Sequence, residues 1–236
     1  MNATAPVALV FGASRGIGAA CAAALKDAGW QIAATYATRA PAGELGRAYQ
    51  VDVRDAAAVA KVFAQVEADF GAPPRLVVAN AGVNTPAAPL AAFDPQHFRT
   101  LMEVNVVGAF NIFAEAARRV PDGGAIIALT TSLVRNAVPG TGPYAATKGA
   151  VECLVRAMSK ELAGRGVRVN AVAPGPVDTD LFHAGKTDEM KQRSAALSPF
   201  NRIGRPQEVA ELVCFLASDK ASWIAGQIVQ PNGGMI

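Results

Sequence analysis

Short apolar runs alternate along this chain with longer segments in which apolar residues recur every three or four positions. The short runs are typical of β-strands, and the longer segments predict amphipathic helices. The run at residues 76–79 is apolar throughout, which indicates a strand buried on both faces, as in a parallel sheet. The predicted strands are residues 7–11, 31–36, 48–51, 76–80, 125–129, 167–172 and 228–230, and the predicted helices are residues 16–28, 56–70, 95–119, 144–163 and 206–216.

This alternation predicts an α/β fold, in which right-handed crossovers wind helices onto both faces of a parallel sheet. No linker, repeat or low-complexity segment interrupts the chain, so we expect one domain over residues 1–236. Residues 180–205 break the alternation, because polar side chains are mixed there with Leu181, Phe182 and Phe200. A segment of this length between regular elements is often a lid, and we predict a substrate lid.

Composition narrows the class of protein. The chain is 51% hydrophobic and 17% charged, which supplies a core and argues against disorder. A net charge of +3 gives no reason to expect nucleic acid or a membrane surface as partner. Neither a secretory signal nor a transmembrane run is visible, so we expect a cytoplasmic protein.

A glycine-rich turn follows the first predicted strand and opens the first predicted helix. Glycines with this placement permit a tight turn, let a pyrophosphate approach the backbone, and aim a helix N-terminus at the anion. The spacing is GxxxGxG and departs from the GxGxxG pattern, so a plain packing turn is the alternative. The segment is Gly12-Ala13-Ser14-Arg15-Gly16-Ile17-Gly18.

Four motifs in order make the chain resemble the short-chain dehydrogenase/reductase family. They are the glycine turn, Asn80-Ala81-Gly82, the pair Tyr144 and Lys148, and Pro174-Gly175. The resemblance runs from about residue 7 to 234 and is strongest to 3-oxoacyl-acyl-carrier-protein-reductase-like and naphthol-reductase-like members. It implies a Rossmann-type sheet of seven strands and a homotetramer. One departure is Phe11, where the family often has Thr, and this puts a supporting hydrogen bond in question.

The end of the second strand predicts which nicotinamide cofactor binds. An NAD site places Asp or Glu there for the ribose hydroxyl. The stretch Tyr36-Ala37-Thr38-Arg39 has no carboxylate, while Arg15 and Arg39 favour a 2′-phosphate. We therefore expect NADP(H) to be preferred, with NAD(H) possible. The resemblance adds Asp52 and Val53 at the adenine, Asn80, Ala81 and Gly82 along the middle of the cofactor, and Pro174, Gly175, Val177 and Thr179 at the carboxamide.

Tyr144 and Lys148 lie four residues apart, so both project from one face of a helix. A tyrosine pKa near ~10 is too high for easy proton exchange at neutral pH. A neighbouring ammonium and an oxidised nicotinamide would lower it, which makes Tyr144 a usable general acid and base. The pairing predicts a proton-transfer site.

A hydroxyl at the end of the fifth strand should bond the substrate oxygen. Thr130, Thr131 and Ser132 are the candidates. Counting from Gly124 and from Tyr144 puts Thr131 at the family's serine position, whereas the family preference for Ser favours Ser132. The resemblance also assigns Asn105 the role of holding a water between the lysine and solvent. A satisfied amide inside a helix is the simpler interpretation, and the two are compatible.

The predicted reaction is hydride transfer between NADP(H) and a ketone or secondary alcohol, with Tyr144 exchanging the proton. We expect no metal site, since His97 and His183 lack partner ligands. Two alternatives are a 3-oxoacyl-thioester reductase, with Arg118 and Arg119 docking an acyl carrier protein, and an NADP-binding regulatory protein without turnover. The expected substrate pocket is mainly apolar and lined by Leu133, Asn136, Val138, Leu181, Phe182 and Phe200.

Overall fold

The computed structural model describes residues 5–43 and 45–236. Seven parallel strands form one sheet in the order β3-β2-β1-β4-β5-β6-β7, which confirms the predicted doubly wound architecture. Most predicted boundaries hold to within one residue. The strands are β1 (Val7–Phe11), β2 (Gln31–Tyr36), β3 (Arg47–Gln50), β4 (Leu76–Ala79), β5 (Ala125–Leu129), β6 (Arg168–Val172) and β7 (Ile228–Val229).

Apolar side chains on both faces of the strands build two cores. In β1, Leu9 and Phe11 pack on one side, while Ala8 and Val10 pack on the other. Helices α2 (Ala56–Phe70), α4 (Gly108–Arg119) and α5 (Gly142–Glu161) cover the first face, and α1 (Gly16–Asp27) and α8 (Pro206–Ala217) cover the second. The continuous apolar strands of the sequence therefore reflect burial on both faces.

The helix predicted over residues 95–119 is regular only at its two ends. It comprises α3 (Pro95–Leu101), a π-helical stretch (Met102–Val107) and α4. Turns of π-helix inside α-helices are frequent at functional sites. The helix predicted from residue 144 begins earlier, at Gly142, with Pro143 in its first turn, where a missing N–H costs nothing.

The cleft lies at the carboxyl ends of the strands. The chain leaves β1 toward β2 on one side and reaches β4 on the other, and such a switch point opens a crevice. The predicted lid carries α6 (Asp180–His183) and α7 (Asp188–Ala196), and its base is closed by a parallel bridge between Val177 and Gly204. In the part of the chain that the structure describes, no helix has the length and apolarity needed to cross a membrane.

Candidate active site

The glycine positions of the turn between β1 and α1 do not accommodate side chains. Gly12 and Gly16 have φ values of +75° and +56°, which L side chains rarely adopt. A Cβ on Gly18 would lie 2.1 Å from the carbonyl oxygen of Gly12, and one on Gly12 would lie 2.9 Å from Cα of Ala81. The backbone at Gly12 and Gly18 is therefore closely packed, with Ala81 against Gly12.

Two polar side chains hold this turn from neighbouring strands. Asn80, directly after β4, donates from Nδ2 to the carbonyl oxygen of Gly12 at 2.8 Å. Thr35 of β2 accepts from the backbone N–H of Gly12 at 3.2 Å. Thr35 thus supplies a hydroxyl partner for the turn, while Phe11 is fully buried against Phe63. Sequence analysis missed Thr35, although a threonine after three apolar residues of a predicted buried strand was a visible signal.

The N-terminus of α1 is open to an anion. Arg15 occupies the N-cap position without a side-chain capping bond, and the first helical turn contains no acidic residue. By contrast, Asp55 and Thr187 cap the helices that follow them. Free N–H groups and the positive end of the helix dipole fit a pyrophosphate. The closely packed glycines and this open helix end fit a dinucleotide.

The residues predicted to select the cofactor lie at the end of β2, the strand next to β1, and at the start of α1. Tyr36 is half-buried at the end of β2, and Ala37, Thr38 and Arg39 are exposed. Arg15 lies 3.7 Å from a carboxylate oxygen of Asp180, the first residue of α6.

Asp52 and Val53, the predicted adenine contacts, follow β3 at the same edge. The Asp52 carboxylate accepts two side-chain bonds from Arg54, at 3.0 Å from Nε and 2.6 Å from Nη2, and these bonds hold its pKa below the ordinary value. Val53 is buried against Gly108, where a Cβ would lie 2.5 Å from a Val53 methyl.

Lys148 brings its ammonium to the carboxyl end of β5. Its Nζ donates to the carbonyl oxygen of Leu129 at 2.9 Å and lies 3.3 Å from where a Cβ on Gly82 would be. Burial lowers the pKa of Lys148 to about 8. Desolvation raises the pKa of Tyr144 to about 12 in the chain without cofactor, and the expected lowering by Lys148 together with an oxidised nicotinamide stays a prediction. Burial dominates because it disfavours both charged forms.

Asn105 lies buried in the π-helical stretch and ties three elements together. Its Oδ1 accepts from the N–H of Val83 at 2.8 Å, and its Nδ2 donates to the Val83 carbonyl at 2.9 Å. Nδ2 also lies 3.2 Å from the Thr147 hydroxyl on α5. The amide is thus satisfied by protein groups that position the Asn80–Gly82 segment and α5. The predicted role in holding a water stays a prediction.

Thr131 and Ser132 have different environments. Ser132 is 1% exposed, and its hydroxyl donates to the Ala173 carbonyl at 2.8 Å and accepts from Asn232 at 3.4 Å. Thr131 is 9% exposed, and its hydroxyl accepts from the N–H of Leu133 at 3.3 Å. The Ser132 hydroxyl therefore already donates its proton to a backbone carbonyl, whereas the Thr131 hydroxyl only accepts and can still donate.

The segment after β6 reaches both sides of the cleft. Pro174 accepts from the N–H of Ser132 at 2.9 Å, and a Cβ on Gly175 would lie 3.0 Å from Cα of Asn232. Val177 is buried. The Thr179 hydroxyl caps α6 by accepting from Phe182, and its methyl lies 3.2 Å from where a Cβ on Gly16 would be. The structure places Thr179 beside the glycine turn, where its hydroxyl is engaged in capping.

Two cavities divide the residues that we expected in one substrate pocket. A cavity of about 580 Å³ contains Val138 with Leu90, Phe98 and Pro143, and one of about 200 Å³ contains Phe200. Leu133, Asn136, Leu181 and Phe182 line neither of these two cavities, and a single pocket lined by all six residues stays a prediction. These residues belong to separate loops, whose relative placement the sequence does not specify.

Other predicted groups are engaged elsewhere. Arg118 and Arg119 form ion pairs with Glu115 at 2.6 and 2.8 Å, so neither presents an unpaired charge to an acidic carrier. His183 pairs with Asp178 at 2.6 Å, and His97 packs edge-on to Phe93. Within residues 5–43 and 45–236, no group of three or more His, Cys, Asp or Glu side chains is arranged to hold a metal.

Comparisons with known proteins agree with this geometry. The model of a protein family described as enoyl-(acyl carrier protein) reductase matches residues 12–236. An NADPH-dependent aldehyde reductase-like protein, chloroplastic, from Arabidopsis thaliana is 40% identical, covering 98% of this chain and 94% of the relative. A double mutant of a Serratia marcescens short-chain dehydrogenase/reductase has a TM-score of 0.88 at 32% identity, covering 98% of this chain and 97% of that one.

A blue fluorescent protein from a metagenomic library, in complex with NADPH, has a TM-score of 0.89 at 32% identity. The alignment covers 100% of this chain and 99% of that one. Fold and site together define a dinucleotide-binding oxidoreductase with a doubly wound sheet. The chain belongs to the short-chain dehydrogenase/reductase family.

Proposed function

We propose that this protein is an NADP(H)-dependent reductase of aldehydes or ketones, in which Tyr144 exchanges the proton. The observation that carries the proposal is the position of Lys148. Its ammonium lies between the Leu129 carbonyl and Gly82, at the carboxyl edge of the sheet, one helical turn from Tyr144. A binding protein without turnover has no need of this pair.

The choice of NADP(H) is supported by the chain and by its relatives. The end of β2 offers Thr38 and Arg39 and no carboxylate, and Arg15 stands at the open end of α1. Arginine binds phosphate oxygens through paired hydrogen bonds, whereas a carboxylate would repel them. The Arabidopsis relative is named as NADPH-dependent, and the metagenomic neighbour was solved with NADPH.

The residues divide the work of reduction. When bound, the nicotinamide supplies the hydride. Tyr144 donates the proton to the carbonyl oxygen, and Lys148 supplies positive charge that favours the phenolate left behind. Thr131 donates a hydrogen bond to the same oxygen, where negative charge develops. Asn105 fixes the backbone of Val83 and the Thr147 hydroxyl, and so holds α5 in place.

The 3-oxoacyl-thioester alternative differs only in substrate. With Arg118 and Arg119 paired to Glu115, the structure offers no separate support for an acyl carrier protein as partner. A cytoplasmic location and a homotetramer stay predictions.

A substrate panel with matched variants tests the proposal. NADPH oxidation is followed with aldehydes, ketones, quinones, a 3-oxoacyl thioester and an enoyl thioester. We expect turnover of carbonyl compounds, and we expect Tyr144→Phe to lower it by roughly 10²–10⁴-fold because general acid catalysis is lost. NADPH affinity, measured by fluorescence titration, should change little. NADPH binding without turnover of any panel member would favour the regulatory alternative, and reduction of the enoyl thioester alone would contradict carbonyl chemistry.

A further inference from the structure

The start of the predicted lid lies against the glycine turn. Asp180 begins α6, and its Oδ2 lies 3.7 Å from Nη1 of Arg15, at the N-cap of α1. The preceding residue, Thr179, packs its methyl against Gly16. Tertiary folding therefore brings an acidic side chain of the lid to the edge of the open helix end.

This carboxylate is an anion beside a guanidinium and a helix end that we assign to an anionic ligand. The first turn of α1 has no acidic residue, and the end of β2 has none. Asp52, which follows β3, is paired with Arg54. Asp180 instead pairs with Arg15, a side chain that we assign to the 2′-phosphate. Two anions then share one guanidinium.

We propose that Asp180 is a specificity-determining residue that competes with the 2′-phosphate of NADP(H) for Arg15. Binding of that phosphate releases the α6 end of the lid, and NAD(H), which has no such phosphate, leaves the Arg15–Asp180 pair in place. This inference rests on the proposed role of Arg15 in phosphate binding.

Relative strengths set the direction of the exchange. Both side chains are largely exposed, at 69% and 75%, and ion pairs of this kind are weak. A phosphate offers more charge and several acceptor oxygens, so it displaces the carboxylate. The cost of displacement appears as weaker binding of the phosphorylated nucleotide, by about two- to fivefold, the range typical of an exposed pair.

Calorimetry with two adenosine nucleotides tests the competition without turnover. 2′,5′-ADP carries the 2′-phosphate, and 5′-AMP is its matched ligand without it. Asp180→Asn should tighten 2′,5′-ADP about two- to fivefold and leave 5′-AMP unchanged. Glu189→Gln is the control variant, because it removes one negative charge from α7 of the same lid, where Glu189 pairs with Arg193. It should change neither affinity.

The Arg15→Ala background separates this inference from the function on which it rests. In that background Asp180→Asn should have no effect on either nucleotide. If Arg15→Ala weakens both nucleotides equally, the proposed phosphate role of Arg15 fails. If Arg15→Ala weakens 2′,5′-ADP selectively while Asp180→Asn changes nothing or tightens both, the competition alone is overturned.

Hydrogen exchange tests the coupling to the lid. The amides of Phe182 and His183 donate hydrogen bonds to Thr179, so their exchange rates report how often the first turn of α6 opens. We expect 2′,5′-ADP to speed their exchange relative to 5′-AMP in the wild type, and Asp180→Asn to remove the difference. Equal exchange with both nucleotides in the wild type would overturn the coupling.

Discussion

Lys148 carries an ammonium into a site where only 6% of its surface is exposed. Its pKa falls from 10.5 to about 8, so the unfolded chain binds more protons between these values. The free energy of unfolding should therefore rise with pH from about 8 to about 10, by on the order of 3 kcal/mol for this residue. Below about pH 8 the buried ammonium lowers the free energy of unfolding.

Substitution of Lys148 removes this pH dependence. The melting temperature of the wild type should increase relative to that of Lys148→Met as pH rises from 7.5 to 10, because only the wild type sheds a buried proton. Scanning calorimetry of both proteins measures the difference. Lys160→Met, at an exposed position of the same helix, should keep a constant offset from the wild type. A constant offset for Lys148→Met as well would show that the ammonium is not desolvated.

The two neighbouring hydroxyls should fail in different ways. Thr131→Val is expected to lower kcat by roughly 10²–10³-fold, because it removes a donor aimed at developing charge. Ser132→Ala should lower stability by about 1 kcal/mol, since the Ala173 carbonyl loses its partner, with little effect on kcat. Steady-state kinetics and thermal unfolding distinguish the catalytic loss from the loss of stability. Thr131→Ser keeps the hydroxyl and should retain most of the wild-type activity. The reverse order would make Ser132 the catalytic hydroxyl.

At the scale of elements, the turn between β1 and α1 does not tolerate a larger residue at Gly18. A Cβ on Gly18 would come within 2.5 Å of Nδ2 of Asn80 and within 2.1 Å of the Gly12 carbonyl, so the turn must shift. Gly18→Ala should weaken NADPH binding by at least about tenfold, because amides aimed at the pyrophosphate move with the turn.

A matched glycine in α5 provides the control. The nearest atom to a Cβ on Gly149 is a Val134 methyl at 3.8 Å, an ordinary contact. Gly149→Ala should leave NADPH affinity unchanged and stabilise the helix by up to about 1 kcal/mol. Fluorescence titration and thermal unfolding of both variants measure these effects. Equal NADPH affinity in Gly18→Ala and the wild type would mean that this turn does not contact the cofactor.

Element boundaries show where the sequence was sufficient. Strands β1 and β5 agree with prediction because burial on both faces leaves uninterrupted apolar runs between polar turns. The π-helical stretch Met102–Val107 was not predicted, because its apolar spacing resembles that of an ordinary helix. Asn105 within this stretch bonds to Val83, 22 residues away, and no local pattern reveals that contact.

At the scale of the whole molecule, the homotetramer that the family resemblance implies stays a prediction, and several apolar side chains are exposed and available for its interfaces. Trp223 is 98% exposed, and Phe110 and Phe98 are 55% and 43% exposed. Such residues are costly to leave in water, and clusters of them commonly mark interfaces. Light scattering should give a mass close to four times the 24.3 kDa of one chain. A monomer mass at working concentration would contradict the tetramer. A dimer mass would also contradict it and would show that two subunits associate through a single interface.

The sequence by itself determined the sheet, the glycine turn and the pair Tyr144 and Lys148. These follow from periodicity, from backbone conformations open only to glycine, and from helical spacing, all of which act over a few residues. Only the tertiary structure decided that Thr35 supports the turn, that Ser132 is committed to Ala173, and that Asp180 meets Arg15. Each of these contacts joins residues distant in the chain, so its partner is fixed by packing and not by local pattern.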